Sequence, residues 1–249
     1  MGTLFLIRHG QASYGSADYD RLSPIGEDQA RALGRRVRDA VHGDLHALYT
    51  GPLRRQVETG RWLHHGATAA GTTVPDPVVI DELAEYPAFE LLAKALPGLI
   101  AEESTLAPLR DGERSPLLLD RAFWLMITRW SESRLDAPGV ESVVEFAARI
   151  RRGLERVMTS HARPSGAAGV AAAPARVAVV TSGGPISIAV ALALGLDHAR
   201  AIALGRQVRN ASISEFRWRS RDFAWRPSDF SLVGFNHVAH LPSELHTFR

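Results

Sequence analysis

Three short apolar runs in this chain each end in a turn that leads towards a helix. The runs cover residues 3–7, 47–50 and 177–180, and each has the length of a buried strand. Gly-Pro at 51–52 and Gly-Gly-Pro at 183–185 then open helical patterns. Alternation of strands and helices is typical of α/β folds with a mostly parallel central sheet. The sequence therefore predicts a three-layer αβα sandwich with helices on both faces of that sheet.

The remaining patterns extend this alternation over the chain. Ser23 and Ser142 are predicted N-caps, and Glu145 completes a capping box with Ser142. The late strand-like segments alternate in polarity or are rich in aromatic residues. The predicted helices cover residues 24–41, 52–64, 89–96, 118–130, 143–158 and 185–194, and the further strands cover residues 78–80, 213–218 and 231–235.

The alternation stops between about residues 86 and 138, where two helical stretches are separated by loops rich in proline, glycine and charge. We interpret this segment as a helical cap insertion that could cover a site. The small residues over 162–175 predict a flexible surface loop. Because neither a repeat nor a shift in composition marks a boundary, we expect residues 1–249 to form a single domain.

Composition narrows the classes of function. The 249 residues include no cysteine, which excludes disulfides and thiolate chemistry. The formal net charge is only +2, and no basic run with interleaved aromatic residues favours nucleic acid. No segment approaches the roughly 18 consecutive apolar residues of a membrane span, and the N-terminus leads directly into a strand. We therefore expect a cytoplasmic enzyme with neither a nucleic-acid nor a membrane partner.

Polar side chains and glycines follow three of the predicted strands. Because the carboxyl ends of parallel strands meet at one edge of a sheet, where such folds bind ligands, we expect these groups to converge. Arginine offers a planar fork of donors, and a helix N-terminus presents free N–H groups to an anion. Phosphate is the natural occupant of such a pocket. The residues concerned are Arg8 and His9, Arg54 and Arg55, and Ser182 with Gly183 and Gly184.

The spacing of the histidines does not favour a metal site. His42 and His46 are four residues apart, but Gly43 and the end of the predicted helix lie between them. His64 and His65 close a helix, where the helix dipole favours positive charge without any ligand. We interpret these histidines as surface residues.

Several ordered motifs resemble the histidine phosphatase superfamily, also called phosphoglycerate mutase-like, over nearly the whole chain. Leu-Ile-Arg-His-Gly-Gln at 6–11 is similar to the signature of that family. Residues 22–30 resemble its Leu-Thr-x-x-Gly-x-x-Gln-Ala segment, and Pro-Leu-Arg-Arg-Gln-Val-Glu-Thr at 52–59 resembles its Pro-Leu-x-Arg-Ala-x-x-Thr helix start. Leu-Ala-Glu at 83–85 falls where the family carries its acidic residue. Weaker landmarks are Glu141, Ser142, Phe146, Arg149, Asn210, His240 and Leu241.

The resemblance implies a role for each candidate residue. His9 would be the nucleophile that takes the phosphoryl group, and Arg8 and Arg55 would clamp its oxygens. Glu85 would protonate the leaving group and then activate water, with Glu82, one turn away, as the rival acid. The resemblance implies no metal and no cofactor. Its partner would be a small phosphorylated substrate or inorganic phosphate, and a homodimer stays open because sequence does not distinguish exposed from interface faces.

One position departs from the family pattern. The family carries Val-x-Ser-His-Gly-Gly after its fourth strand, whereas this chain has Ser182 where the second histidine belongs, followed by Gly183. Ser182 can still donate one neutral hydrogen bond, and Gly183 supplies a backbone N–H to phosphate. Loss of one transition-state donor puts roughly 10²–10³ in rate at risk. His237 or His240 could fill the gap, although we interpret His240 as structural.

Hydrolysis of a phosphomonoester is the expected activity, and three alternatives remain. The departure at Ser182 favours a catalytically impaired protein that only binds a phosphate ligand. A mutase-type phosphotransferase is less favoured, because residues 11–14 lack the Glu-Ser pair of recognisable mutases. A serine hydrolase is disfavoured because Val180 stands where a nucleophile elbow requires glycine. The triad of that hydrolase would be Ser182, Asp222 or Asp229, and His237 or His240.

Overall fold

The computed structural model describes residues 1–13, 18–113, 115–161, 174–219 and 223–248. Its strands are β1 (Gly2–Arg8), β2 (Ala47–Thr50), β3 (Pro77–Val79), β4 (Arg176–Thr181), β5 (Ile213–Trp218) and β6 (Phe230–His237). Its α-helices are α1 (Pro24–Arg35), α2 (Val37–Ala40), α3 (Arg54–Ala69), α4 (Ala88–Glu102), α5 (Ala107–Arg110), α6 (Pro116–Ser131), α7 (Val143–Ser160), α8 (Gly183–Leu194) and α9 (His198–Gly205).

The six strands form one sheet in the order β3-β2-β4-β1-β5-β6. Pairing is parallel among β3, β2, β4 and β1, and antiparallel where β5 meets β1 and β6. This confirms the predicted mostly parallel sheet. Arg8 at the end of β1 lies opposite Thr181 at the end of β4, so His9 and Ser182 leave the sheet side by side. The register alone therefore brings two of the candidate residues together.

Alternating residues of β1 bury opposite faces of the sheet. Leu4 and Leu6 lie in one buried cluster with residues of α4, α6, α7, α8 and α9. Phe5 and Ile7 lie in a second cluster with residues of α1, α2 and α3. A strand whose successive side chains are all buried needs helices on both sides, because neighbouring side chains point to opposite faces. The predicted three-layer αβα arrangement is confirmed.

Three helices differ from their predicted bounds by more than two residues. The first ends at Arg35, because Arg36 (φ −115°, ψ 9°) leaves helical geometry before α2 begins. Helix α4 passes through Pro97, which costs about 3 kcal/mol in a helix interior. Burial of Leu99 and Ile100 beyond it, worth about 1.5–3 kcal/mol each, offsets that cost. Helix α3 extends to Ala69, several residues past its predicted end.

Helix α9 was not predicted at all. Its N-cap is Asp197, whose carboxylate accepts the Arg200 backbone N–H at 2.8 Å. An aspartate at this position was a readable start signal in the sequence. The predicted flexible loop over 162–175 falls mostly on residues outside the described ranges.

Helices α4, α5 and α6 fall within the segment predicted to be a cap. Their apolar residues, including Leu91, Met126 and Trp130, join the same buried cluster as α7 and α8. The segment therefore packs as part of the outer layer on that face of the sheet. A single domain and a covering role for this segment stay predictions.

Candidate active site

The imidazole of His9 is buried at the carboxyl end of β1, with both ring nitrogens engaged. Nδ1 lies 2.7 Å from the Gly10 carbonyl oxygen, so it is the protonated nitrogen of a neutral ring. Nε2 then carries the lone pair, and Nε of Arg55 donates to it at 3.1 Å. Burial, together with the charges of Arg55 and Arg8, holds the pKa of His9 well below its usual value of 6.5. At neutral pH this ring is unprotonated at Nε2 and chemically able to attack.

Three hydrogen bonds hold the chain around His9. Its N–H donates to the Thr181 carbonyl at 2.8 Å, and its carbonyl accepts from Asn210 Nδ2 at 3.2 Å. The next N–H, of Gly10, donates to Oγ1 of Thr59 at 3.0 Å. Sequence reasoning gave Thr59 and Asn210 no role, although both match family landmarks. These contacts tie β1, β4, α3 and the segment before β5 to one point.

Arg8 and Arg55 place two cations beside the neutral imidazole. Arg8 is anchored by Nη1, which donates to the carbonyls of Val208 and Phe248. Its Nε is buried and has no hydrogen-bond partner within the described part of the chain. Nη1 of Arg55 donates to Oδ1 of Asp20 at 2.5 Å. Burial lowers the pKa of Arg8, but an arginine stays charged in proteins, so the site favours an anion.

The neighbouring Arg54 does not join this site. Its side chain is about half exposed and forms ion pairs with Asp18 at 2.5 Å and Glu58 at 2.7 Å. The expected convergence of both arginines is therefore wrong for Arg54, because successive residues of a helix project in different directions. Only the second arginine of the pair contacts His9.

The carboxylate of Glu85 lies at the N-terminus of α8. Oε2 accepts the Gly184 N–H and Oε1 accepts the Tyr86 N–H, both at 3.1 Å. Burial raises the pKa of Glu85, while the Gly184 hydrogen bond and the charges of Arg55 and Arg8 act against the rise. A Cβ on Gly184 would lie 2.1 Å from Oε1, so glycine is required there for this approach.

The rival acid, Glu82, is directed elsewhere. Its carboxylate lies 3.2 Å from Nη1 of Arg156 on α7, on the outer surface of that helix. Of the two glutamates, Glu85 is the one whose carboxylate lies against α8 and within electrostatic reach of Arg8 and Arg55.

Ser182 is buried at the N-cap position of α8, where its side chain makes no cap hydrogen bond. Its Oγ lies 2.8 Å from Nε2 of Gln56, a contact that sequence reasoning missed. Gly183, the first residue of α8, packs closely on α9, since a Cβ there would lie 2.7 Å from the Gly205 carbonyl oxygen. The structure thus gathers Arg8, His9, Arg55, Glu85, Ser182 and Gly183 around the ends of β1 and β4.

Neither late histidine fills the place of the missing one. His240 is buried with Nε2 2.9 Å from the Ala211 carbonyl oxygen, and burial lowers its pKa to about 4. His237 is exposed on β6. Asp229, the described acid of the hydrolase alternative, is held by Arg226 at 2.7 Å, and Asp222 lies outside the described residues. Within the described residues the serine-hydrolase triad therefore finds no support. The contact of His240 with the main chain is in keeping with the structural role expected for it.

The aromatic residues of the predicted cap divide between core and site. The rings of Tyr86 and Trp130 lie 4.9 Å apart and both pack on Phe146, which makes them part of the core. Phe89 is exposed and stands edge-on to Tyr19 at 5.4 Å. The Tyr19 ring in turn lies 5.7 Å from the Arg55 guanidinium, so this second pair borders the anion site.

Two features are absent from the described residues. Those residues contain no group of three histidine, aspartate or glutamate side chains placed to hold a metal ion. None of their helices combines the length and apolar character that crossing a bilayer requires.

The fold is that of the phosphoglycerate mutase-like α/β proteins. More specifically, the chain belongs to the histidine phosphatase superfamily (branch 1), whose family model matches residues 4–86 and 119–228. The internal stretch that this match omits, residues 87–118, lies within the segment predicted to be a cap.

Solved structures show the same fold at low sequence identity. A mycobacterial glucosyl-3-phosphoglycerate phosphatase is 23% identical with a TM-score of 0.59, covering 96% of this chain and all of that one. A phosphoserine phosphatase mutant of Entamoeba histolytica in complex with phosphoserine is 17% identical with a TM-score of 0.60, covering 97% and 100%. A phosphoglycerate mutase of Bacillus anthracis is 16% identical with a TM-score of 0.55, covering 96% and 94%.

The curated relatives are longer than this chain. A bifunctional protein of Mycobacterium tuberculosis is 28% identical over 221 residues, which is 86% of this chain and 50% of that protein. The chain spans about half the length of the curated relatives it matches.

Proposed function

We propose that this chain is a metal-independent phosphatase that hydrolyses a phosphomonoester through a phosphohistidine at His9. One observation carries the proposal: the ring of His9 is neutral, its Nδ1 faces the Gly10 carbonyl, and its Nε2 faces Nε of Arg55 at 3.1 Å. A nucleophile held with its lone pair beside a buried cation suits attack on an anionic ester. The superfamily and its phosphatase neighbours support an enzyme of this class.

In the first step Arg55 would release its hydrogen bond to Nε2 of His9 as it turns to the phosphoryl oxygens. The freed lone pair of Nε2 then attacks phosphorus, and the bond to the leaving oxygen breaks. Arg8 and Arg55 would stabilise the charge on the non-bridging oxygens, because phosphoryl transfer depends mainly on positioning and electrostatics. The buried Nε of Arg8, which lacks a partner among the described residues, would gain one from such an oxygen. Protonated Glu85 would supply the proton to the leaving oxygen.

In the second step water replaces His9 on phosphorus. The Glu85 carboxylate, which has just lost its proton, would accept one from water as the oxygen–phosphorus bond forms and the nitrogen–phosphorus bond breaks. This returns a neutral His9, a protonated Glu85 and free phosphate, so the cycle closes without a metal. The raised pKa of Glu85 supports both halves of this role, since it brings the pKa nearer to neutral pH.

We place a small phosphorylated molecule, or phosphate itself, in the site. A solved structure of a mycobacterial phosphatase with this fold contains inorganic phosphate, and that of the Entamoeba phosphoserine phosphatase mutant contains phosphoserine. Half-buried Tyr19 and exposed Phe89, which lie beside Arg55, would form one wall for the leaving group. A cytoplasmic location and a homodimer stay predictions.

Phosphate release from p-nitrophenyl phosphate in the presence of EDTA tests the proposal. His9→Ala is expected to reduce turnover to background, and His65→Ala, which changes an exposed histidine of α3, is the matched control. Acid-labile phosphate on the native chain after rapid quenching, absent from His9→Ala, would identify the intermediate. Turnover that survives His9→Ala would contradict the mechanism.

A phosphate-binding protein without turnover is the second candidate, and Ser182 is the observation that favours it. The hydroxyl supplies a neutral donor where the family carries a histidine. Calorimetry with inorganic phosphate, combined with absence of turnover on a panel of phosphomonoesters at acidic to neutral pH, would establish this candidate instead.

A further inference from the structure

The hydrogen bond between Gln56 and Ser182 joins the two helix starts that frame the site. Both side chains are fully buried, and Nε2 of Gln56 lies 2.8 Å from Oγ of Ser182. Gln56 directly follows Arg55, which contacts His9, and Ser182 lies two residues before Gly184, which contacts Glu85. The pair is therefore bracketed on both sides by the proposed catalytic groups.

The direction of this hydrogen bond is determined by a third residue. The backbone N–H of Leu53 donates to Oε1 of Gln56 at 3.1 Å, and an N–H can only donate. The amide oxygen must therefore face Leu53, which leaves the amide nitrogen facing Ser182. A Cβ on Gly51 would lie 2.2 Å from Oε1, so the chain leaves room for this amide orientation.

The consequence falls on the hydroxyl hydrogen of Ser182. Because Oγ accepts from Gln56, its own hydrogen points to some other acceptor, and the described residues provide none. The N-terminus of α8 does not use this hydroxyl hydrogen, because a hydroxyl that caps a helix accepts hydrogen bonds there. The Ser182 side chain forms no such cap bond.

We propose that Gln56 is a positioning residue that orients the Ser182 hydroxyl as a hydrogen-bond donor to the transferring phosphoryl group. This inference rests on the proposed phosphatase function. Both residues depart from the family pattern quoted above, which has alanine at the position of Gln56 and histidine at that of Ser182. The two departures meet in one hydrogen bond, so the pair replaces the single donor that the histidine would supply.

Kinetics on a double-mutant cycle test this coupling. Ser182→Ala is expected to lower kcat by roughly 10²-fold, the scale for one transition-state donor, with a smaller change in KM. Gln56→Met keeps the side-chain length but removes the donor, and is expected to lower kcat by about tenfold or more. The double variant is expected to be no slower than Ser182→Ala alone, because Gln56 acts only through Ser182. Thermal unfolding of every variant separates this effect from loss of folded protein.

A double exchange at positions 56 and 182 tests the pair by gain of activity and not only by its loss. Gln56→Ala combined with Ser182→His restores the family residues at both positions and is expected to recover at least native kcat. Ser182→His with Gln56 retained is expected to be poor, since both long side chains compete for one space. Multiplicative losses in the cycle, or an unchanged kcat in Gln56→Met, would overturn the proposal.

Failure of the proposed function is distinguishable from failure of this inference. If the native chain binds phosphate but shows no turnover, the phosphatase proposal fails. Calorimetry then measures the affinity of each variant of the cycle for inorganic phosphate. Non-additive losses of phosphate affinity in Ser182→Ala and Gln56→Met would then support the pair, and unchanged affinities would overturn it.

Discussion

Nε of Arg55 lies 3.1 Å from Nε2 of His9, and this contact determines the state of the imidazole. The guanidinium can only donate, so Nε2 must accept, and the ring proton must reside on Nδ1 opposite Gly10. One arginine thus both selects the tautomer of the proposed nucleophile and places positive charge beside it.

Replacement of Arg55 should lower kcat/KM, whereas replacement of the adjacent Arg54 should leave it nearly unchanged. Arg55→Lys keeps the charge but loses the planar fork and the contact with His9, so kcat/KM is expected to fall by about 10- to 100-fold, the scale of a charge-assisted hydrogen bond. Arg54→Lys, on the exposed neighbour, is expected to change kcat/KM by less than about threefold. Steady-state kinetics on both variants check this, and similar losses in the two would contradict the separation seen in the structure.

Gly184→Ala should displace the Glu85 carboxylate. The added Cβ would lie 2.1 Å from Oε1, so the carboxylate must leave the N-terminus of α8. We expect kcat to fall by about 10²-fold or more, within the range for loss of a general acid, while affinity for inorganic phosphate changes little. Gly98→Ala in α4 is the control, because no atom lies within 4 Å of its Cβ position. An unchanged kcat in Gly184→Ala would show that Glu85 does not act from this position.

The pH profile of kcat/KM should report the two shifted groups. His9 must be unprotonated to attack, and its pKa is lowered, so kcat/KM is expected to rise with pH at a value below 6.5. Glu85 must be protonated to act as an acid, and its pKa is raised, so kcat/KM is expected to fall again at a pH above 4.5. Glu85→Gln should remove the contribution of that residue to the alkaline limb. It should also slow hydrolysis of an alkyl phosphate more than that of p-nitrophenyl phosphate, because the nitrophenolate leaving group needs no proton. Glu82→Gln should leave the profile as it is. An acid limb at or above pH 6.5 in the native chain would count against a neutral His9.

His240 should make the fold sensitive to acid. Its pKa is about 4 in the folded chain against 6.5 when unfolded, so the unfolded state binds a proton first and stability falls as pH drops below 6.5 towards 4. Between pH 7.5 and pH 5 this one group costs about 2 kcal/mol of unfolding free energy. Urea unfolding at both pH values should show a smaller pH difference for His240→Gln than for the native chain. An equal pH difference in the two proteins would assign the acid sensitivity to other groups, of which His9 is the first candidate.

Most of the architecture was predictable from local patterns. Apolar runs that end in glycine or proline marked the strands around the site, and Ser23 and Ser142 marked helix starts as caps. The helix break at Arg36 and the passage of α4 through Pro97 were missed, because packing of the buried face outweighs local preference there. Helix α9 was missed although Asp197 signalled it.

The sequence by itself determined the class of the fold, the family and the first half of the site. Arg8 and His9 follow a buried strand, and an ordered set of motifs extends over the chain, so both can be recognised one segment at a time. Only the tertiary structure decided that Arg55 turns to His9 while Arg54 turns to the surface, that Glu85 lies against α8 while Glu82 faces Arg156, and that Ser182 accepts from Gln56. The physical reason is that the phase of each helix and the register of β1 against β4 determine the hydrogen-bond partners, which lie 46 to 126 positions apart in the sequence.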